Sequence, residues 1–277
     1  MAVKSVLITG ANSGIGKATA LALATEGWQV ILLCRNEQRG QAALEEVREL
    51  SGNDNVTLAL CDLGDLSSIR KFAAEFLAKH SDLDVLVNNA GVMLSERRET
   101  VDGYEAHFGI NHLGHFLLTN LLLDIIRGRI VTVTSGIQMI GKINFDDINL
   151  VKKFSASGAY AQSKLANVLF TYELARRLEG TGVTATCVQP GFVATDLTLD
   201  RQSGKGGFMA WLFKHFGIPP AKGADTIIYL ASSPEVEGVT GKYYYKRKPR
   251  RSASLSYDRE IAERLWQLSE EMTGLAQ

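Results

Sequence analysis

Tyr160 and Lys164 stand four positions apart in a stretch of helical periodicity, so their side chains share one helix face. A free tyrosine, with a pKa of about 10, is a poor proton shuttle at neutral pH. A lysine ammonium beside it stabilises the phenolate and lowers that value. Such a phenol could deliver a proton to an oxygen that gains negative charge, as a carbonyl oxygen does when hydride reaches its carbon. Ser135 lies just past an apolar strand, 25 positions before Tyr160, and could hydrogen-bond and hold the same oxygen. An isolated Tyr160 would read as a partly buried aromatic on an amphipathic helix. Its company argues for chemistry.

A second cluster suits an anion. The first apolar run ends in Thr9-Gly10-Ala11-Asn12-Ser13-Gly14-Ile15-Gly16-Lys17, and an Ala/Leu-rich helical stretch follows at once. Glycines here permit a sharp turn and let backbone approach a pyrophosphate, which the free N–H groups and dipole of the helix N-terminus favour. A plain tight turn is the bland alternative, but a Gly-rich turn after the first strand is where dinucleotides bind in such sheets. A P-loop fails on residue types, because Ala11 and Ala18 stand where its first glycine and its Ser/Thr belong. The second apolar run ends Cys34-Arg35-Asn36, and Arg35 offers a guanidinium fork where an NAD site would place a carboxylate. Glu37 follows Asn36, a candidate N-cap, and so reads as the start of the next helix. The preference is for NADP(H) over NAD(H).

These residues must be carried by regular elements. Strand-length apolar runs occur at Val3–Thr9, Gln29–Cys34, Val56–Cys61, Asp84–Val87, Arg129–Thr134 and Thr184–Gln189. Helical periodicity separates them near 14–26, 37–50, 65–80, 102–126 and 157–180, and a closing helix is expected within 256–274. The alternation predicts βαβ units and an α/β fold: a doubly wound, mainly parallel Rossmann-type sheet with helices on both faces. With five prolines and no linker-like tract, 1–277 reads as one domain. The irregular stretch 198–220, with Phe208, Met209, Trp211, Leu212, Phe213 and Phe216 between glycines, reads as a lid over a lipophilic molecule.

Taken in order, several pieces resemble the short-chain dehydrogenase/reductase family. They are Thr9-Gly10-x3-Gly14-x-Gly16, Asp62-Leu63, Asn88-Asn89-Ala90-Gly91, Asn111, Ser135, Tyr160-x3-Lys164 and Pro190-Gly191-x3-Thr195. His107–His115 and Tyr160–Asn167 look like its retinol-dehydrogenase-like branch. The resemblance implies a catalytic set of Asn111, Ser135, Tyr160 and Lys164, with Asn111 in a proton relay and Lys164 also holding the nicotinamide ribose. It implies a cofactor site of Gly10, Asn12, Ser13, Gly14, Ile15, Gly16, Arg35, Asn36, Asp62, Leu63, Asn88, Ala90 and Gly91, completed by Tyr160, Lys164, Pro190, Gly191, Val193 and Thr195. Asp62 would meet the adenine, and Pro190, Val193 and Thr195 the carboxamide and phosphates. The segment 124–129 looks shortened before the fifth strand.

The bulk composition adds exclusions. The chain has 277 residues, 45% of them hydrophobic, and its 30 basic residues balance 30 acidic ones, so charge gives no reason to expect nucleic acid. Cys34, Cys61 and Cys187 lack metal or CxxC spacing and read as reduced core thiols. No leader or membrane-spanning apolar run is seen, so a cytoplasmic location is expected. His107, His112 and His115 invite a metal reading, but glycine and large apolar neighbours argue for none. The basic, aromatic run 242–251 reads as solvated surface, with peripheral membrane contact as the minor alternative. The expected function is NADP(H)-dependent hydride transfer between the nicotinamide and a lipophilic aldehyde, ketone or alcohol. The rival is an NADPH-binding sensor or scaffold without turnover; the resemblance leaves a homo-oligomer open.

Overall fold

Strands built of consecutive Val, Ile and Leu need cover on both faces, and the fold supplies it. A computed structural model describes residues 3–193 and 217–275. Its strands are β1 (Ser5–Thr9), β2 (Gln29–Cys34), β3 (Val56–Leu60), β4 (Leu83–Asn88), β5 (Ile126–Val133), β6 (Thr184–Val188), β7 (Lys242–Tyr245) and β8 (Lys248–Arg250). They form one sheet in the order β3-β2-β1-β4-β5-β6-β7-β8, parallel throughout except for the final antiparallel pair. The order reverses between β1 and β4, the switch point at whose carboxyl end ligands bind in open α/β sheets.

Alternate strand residues feed two cores. Val6, Ile8, Val30, Leu32, Val85 and Val131 pack beneath α1 (Gly14–Thr25) and α2 (Glu37–Ser51). Leu7, Ile31, Leu33, Leu86 and Ile130 pack against Phe72, Phe116, Phe170 and Trp266 on the other face. Those aromatics come from α3 (Leu66–Leu77), α5 (Gly114–Leu122), α6 (Ala156–Arg177) and the closing α8 (Arg259–Thr273). Each large apolar side chain so buried stabilises the fold by roughly 1.5–3 kcal/mol.

Four local features depart from the sequence expectation. The helix expected over 102–126 is broken: α4 (Ala106–Phe108) passes into a π-helical turn, Gly109–Leu113, before α5 resumes. Strand β5 starts at Ile126 rather than Arg129. Of the short 124–129 segment, residues 126–129 thus become strand, and Gly128 lies where a Cβ would come 2.6 Å from the Asp84 carbonyl oxygen, opposite a register shift in β4. A further helix, α7 (Pro220–Ser232), packs Ile227 and Leu230 into the first core. Finally, the basic run forms β7, a turn and β8, an exposed edge whose Lys248, Pro249 and Arg250 discourage pairing with another sheet. Among the described residues no helix is long and apolar enough to cross a membrane.

Candidate active site

The glycine turn after β1 is shaped by close approach. Gly10 has φ +65°, and a Cβ there would come 3.0 Å from the Cα of Ala90. A Cβ on Gly16 would lie 2.5 Å from the Gly10 carbonyl oxygen and from Asn89 Nδ2. Helix α1 begins at Gly14 with Ser13 at its N-cap position, yet no side chain caps it and its first turn carries no acid. By contrast α2, α3, α6 and α8 are capped by Asn36, Asp65, Ser155 and Asp258. The free N–H groups of α1 therefore face outward at the carboxyl end of the sheet, a fit for the diphosphate of a dinucleotide.

Around this cradle the other residues expected to bind cofactor take their places. Arg35 follows β2, largely exposed, with its Nε 4.0 Å from Asp62 Oδ2 beyond the neighbouring strand β3. Asp62 also accepts the Gly64 N–H at 2.8 Å. Asn36 accepts the Arg39 N–H at 2.8 Å and Glu37 opens α2, so both belong to a helix start. The Asn88 side chain turns into the core, donating to Thr119 Oγ1 at 2.9 Å, which leaves only its backbone toward the cradle. Leu63 is buried against Gly114, where a Cβ would meet its carbonyl oxygen at 2.4 Å. Beyond β6, half-buried Pro190 leads to Gly191 with φ +94°. Val193 then bridges to Ile218, and both Val193 and Ile15 close on Gly223 of α7. The chain that leaves at Val193 thus returns at Ile218 beside the cradle. Thr195 and the apolar stretch Phe208–Phe216 lie outside the described residues.

The residues expected to do the chemistry converge at the ends of β4 and β5. Thr134 donates its hydroxyl to the Lys164 carbonyl at 2.7 Å, which fastens α6 to the end of β5. Ser135 follows with extended backbone, its Oγ accepting the Ile137 N–H, and its hydroxyl acts on the Tyr160 phenol. Lys164 is buried, with Nζ 5.6 Å from the Tyr160 ring centroid and 3.3 Å from the Val133 carbonyl oxygen. Gly91 borders both Lys164 and Asn111: a Cβ there would sit 3.5 Å from Lys164 Nζ and 3.2 Å from Asn111 Oδ1.

Burial dominates the electrostatics of the Tyr160 and Lys164 pair. Burial pushes the Tyr160 phenol up to about 12, with the Ser135 hydroxyl acting against it. Burial also pushes the Lys164 ammonium down to about 8. Desolvation is the largest cause at both groups, and at neutral pH the phenol holds its proton. The three cysteines are free and buried, the Cys34 thiol pushed up to about 11 and the Cys61 and Cys187 thiols to about 12 by desolvation.

Several structural partners escaped the sequence reading. Asn111 lies in the π-helical turn, its Oδ1 accepting the Val92 N–H at 2.7 Å. Its Nδ2 donates to the Val92 carbonyl at 3.1 Å and to Ser163 Oγ at 3.0 Å. His107 Nε2 accepts the Leu94 N–H at 2.8 Å, and Nδ1 meets Glu105 Oε1 at 2.6 Å, both side chains fully buried. The His107 ring meets Tyr160 edge-on. The only sequence signal for these roles was the spacing of the histidines around Asn111.

This fold and site define an oxidoreductase. The chain belongs to the short chain dehydrogenase family, whose pattern matches residues 4–206. It is 44% identical over 276 residues to retinol dehydrogenase 12 of Mus musculus, covering 98% of this chain and 87% of the relative. Human polyprenol dehydrogenase is 43% identical over 285 residues, covering 97% and 84%. A crystal structure of an uncharacterised protein from Mycobacterium Paratuberculosis superposes with TM-score 0.80 at 37% identity, covering 98% of this chain and 93% of that one. A variant of actinorhodin polyketide ketoreductase crystallised with NADPH gives TM-score 0.65 at 26% identity, covering 87% and 94%.

Proposed function

We propose that the chain is an NADP(H)-dependent oxidoreductase that reduces lipophilic aldehydes or ketones, or oxidises the corresponding alcohols. The observation that carries this reading is the convergence of Ser135, a buried, protonated Tyr160 and the Lys164 ammonium beside an uncapped, glycine-lined helix N-terminus. When bound there, the nicotinamide group supplies or accepts the hydride at the substrate carbon. Ser135 positions the substrate oxygen, and Tyr160 gives it a proton in reduction or takes one in oxidation. Lys164 stabilises the phenolate left behind. The Asn111 side chain is engaged with Val92 and Ser163, so the relay from Lys164 would run through its backbone carbonyl, which also lies 3.0 Å from His115 Nδ1.

Arg35 favours the 2′-phosphate of NADP(H), because it is the exposed cation at the end of β2 and its neighbour Asp62 lies 4.0 Å away. Asp62 would serve the adenine, and the Asn88–Gly91 backbone the adenosine side. Lipophilic substrates are supported by the names of the relatives, retinol and polyprenol dehydrogenases. They are also supported by the exposed Met139, Ile140 and Val151 between Ser135 and Tyr160. The test is loss of NADPH absorbance with a panel of lipophilic carbonyls, alongside Tyr160→Phe. Turnover by the native protein, with retained NADPH binding but no turnover in Tyr160→Phe, is expected; full activity in that variant would refute the mechanism.

A further inference from the structure

Thr9 ends β1 with a buried hydroxyl whose Oγ1 accepts two backbone N–H groups, those of Asn89 and Ala90, each at 2.8 Å. A hydroxyl has two lone pairs and one proton, so the proton must go elsewhere. His115 Nε2 lies 2.9 Å away, nearer than the Val87 carbonyl at 3.4 Å. On the other edge of the ring, His115 Nδ1 lies 3.0 Å from the backbone oxygen of Asn111, which can only accept. The proton therefore sits on Nδ1, and Nε2 presents its lone pair to Thr9. Burial keeps this imidazole neutral, pushed down to about 4, and the Lys164 charge acts in the same direction.

From this geometry we infer that His115 is a positioning residue that couples the cofactor loop Asn89–Ala90, through Thr9, to the main-chain carbonyl of Asn111. One ring edge leaves both Thr9 lone pairs free to pin the loop; the other aims the carbonyl. Neither task is available to an apolar side chain. The loop is held also by Asn89 Nδ2, which donates to the Thr9 carbonyl at 2.8 Å, and further on by Asn111 at Val92 and by His107 at Leu94, so His115 acts on it only through the Thr9 hydroxyl. The inference rests on the reductase reading for its effect on turnover, but its hydrogen-bond chain does not.

The test separates the two ring edges. NMR of the imidazole nitrogens should show His115 as the neutral Nδ1–H tautomer, the less favoured one for free histidine. In His115→Asn the amide can still donate to Asn111 but cannot reach Thr9, so NADPH affinity should fall about tenfold with kcat largely kept. In His115→Gln the side-chain oxygen can still accept from Thr9, so affinity should hold while kcat falls about tenfold. An Nε2–H tautomer would overturn the inference. So would equal losses in affinity and kcat that simply track a fall in thermal stability. Absence of turnover by the native protein on every carbonyl would sink the reductase reading instead, and the tautomer and NADPH-affinity results would still decide this one.

Discussion

Replacing Lys164 by Met should abolish turnover and, at the same time, make the fold more stable at neutral pH. The Lys164 side chain is 3% exposed, and one hydrogen bond, to the Val133 carbonyl at 3.3 Å, is seen for its three donors. Burial lowers the ammonium from 10.5 to about 8. That interval corresponds to about 3 kcal/mol of cost for keeping the charge in the folded state. The sign follows from proton binding. Below pH 8 both folded and unfolded chains carry the proton and the full cost is present; between 8 and 10.5 the unfolded chain binds more protons, so native stability rises with pH. Methionine fills similar space without charge, and loss of the ring contact and hydrogen bond returns about 1 kcal/mol or more. The expected net gain at pH 7 is about 1–2 kcal/mol. Urea unfolding followed by tryptophan fluorescence, without cofactor, should show the variant more stable at pH 7 and the difference shrinking by about pH 9.5. A variant less stable than the native protein at pH 7, or a difference independent of pH, would refute the account of Lys164 as an ion held at a cost for catalysis.

Other perturbations probe other parts of the fold. Arg35→Asp should move cofactor preference from NADPH toward NADH by about tenfold or more, read as the ratio of kcat/KM values; an unchanged ratio would remove Arg35 from the 2′-phosphate. Gly16→Ala places a Cβ 2.5 Å from the Gly10 carbonyl oxygen, so it should destabilise by about 1–3 kcal/mol and remove the rise in Tm that NADPH gives the native protein. Lys246 and Arg247 turn the β7–β8 hairpin with φ +52° and +57°, but Arg247 is tied to Asp225 and to Thr226, whereas Lys246 has its ammonium 5.3 Å over the Tyr245 ring. Lys246→Gly should therefore raise stability by about 0.5–1 kcal/mol, a Tm gain of about 1–3 °C; a fall in Tm would show that the lysine contact with Tyr245 outweighs the backbone strain.

Much of this protein was legible from sequence because the signals were local. Unbroken apolar runs such as Val30–Leu33 announced strands covered on both sides, and their alternation with helical periods announced a parallel, doubly wound sheet. Gly10, Gly14 and Gly16 announced the cradle because a turn and a close approach demand them, and Tyr160 and Lys164 faced one way because α6 brings i and i+4 together. Tertiary structure decided the rest. The π-helical turn at Asn111, the early start of β5 and the placing of α7 over α1 depend on partners distant in the chain, which no period of 2 or 3.6 encodes. Burial, rather than spacing, set the state of the phenol and the cost of its lysine. His115, which the sequence offered only as one of three histidines among glycine and large apolar residues, became a link between Thr9 and Asn111 only when the fold brought Thr9, 106 positions away, within 2.9 Å of its ring. A hydrogen bond needs its partner's position as well as its chemistry, and that position exists only in the folded chain.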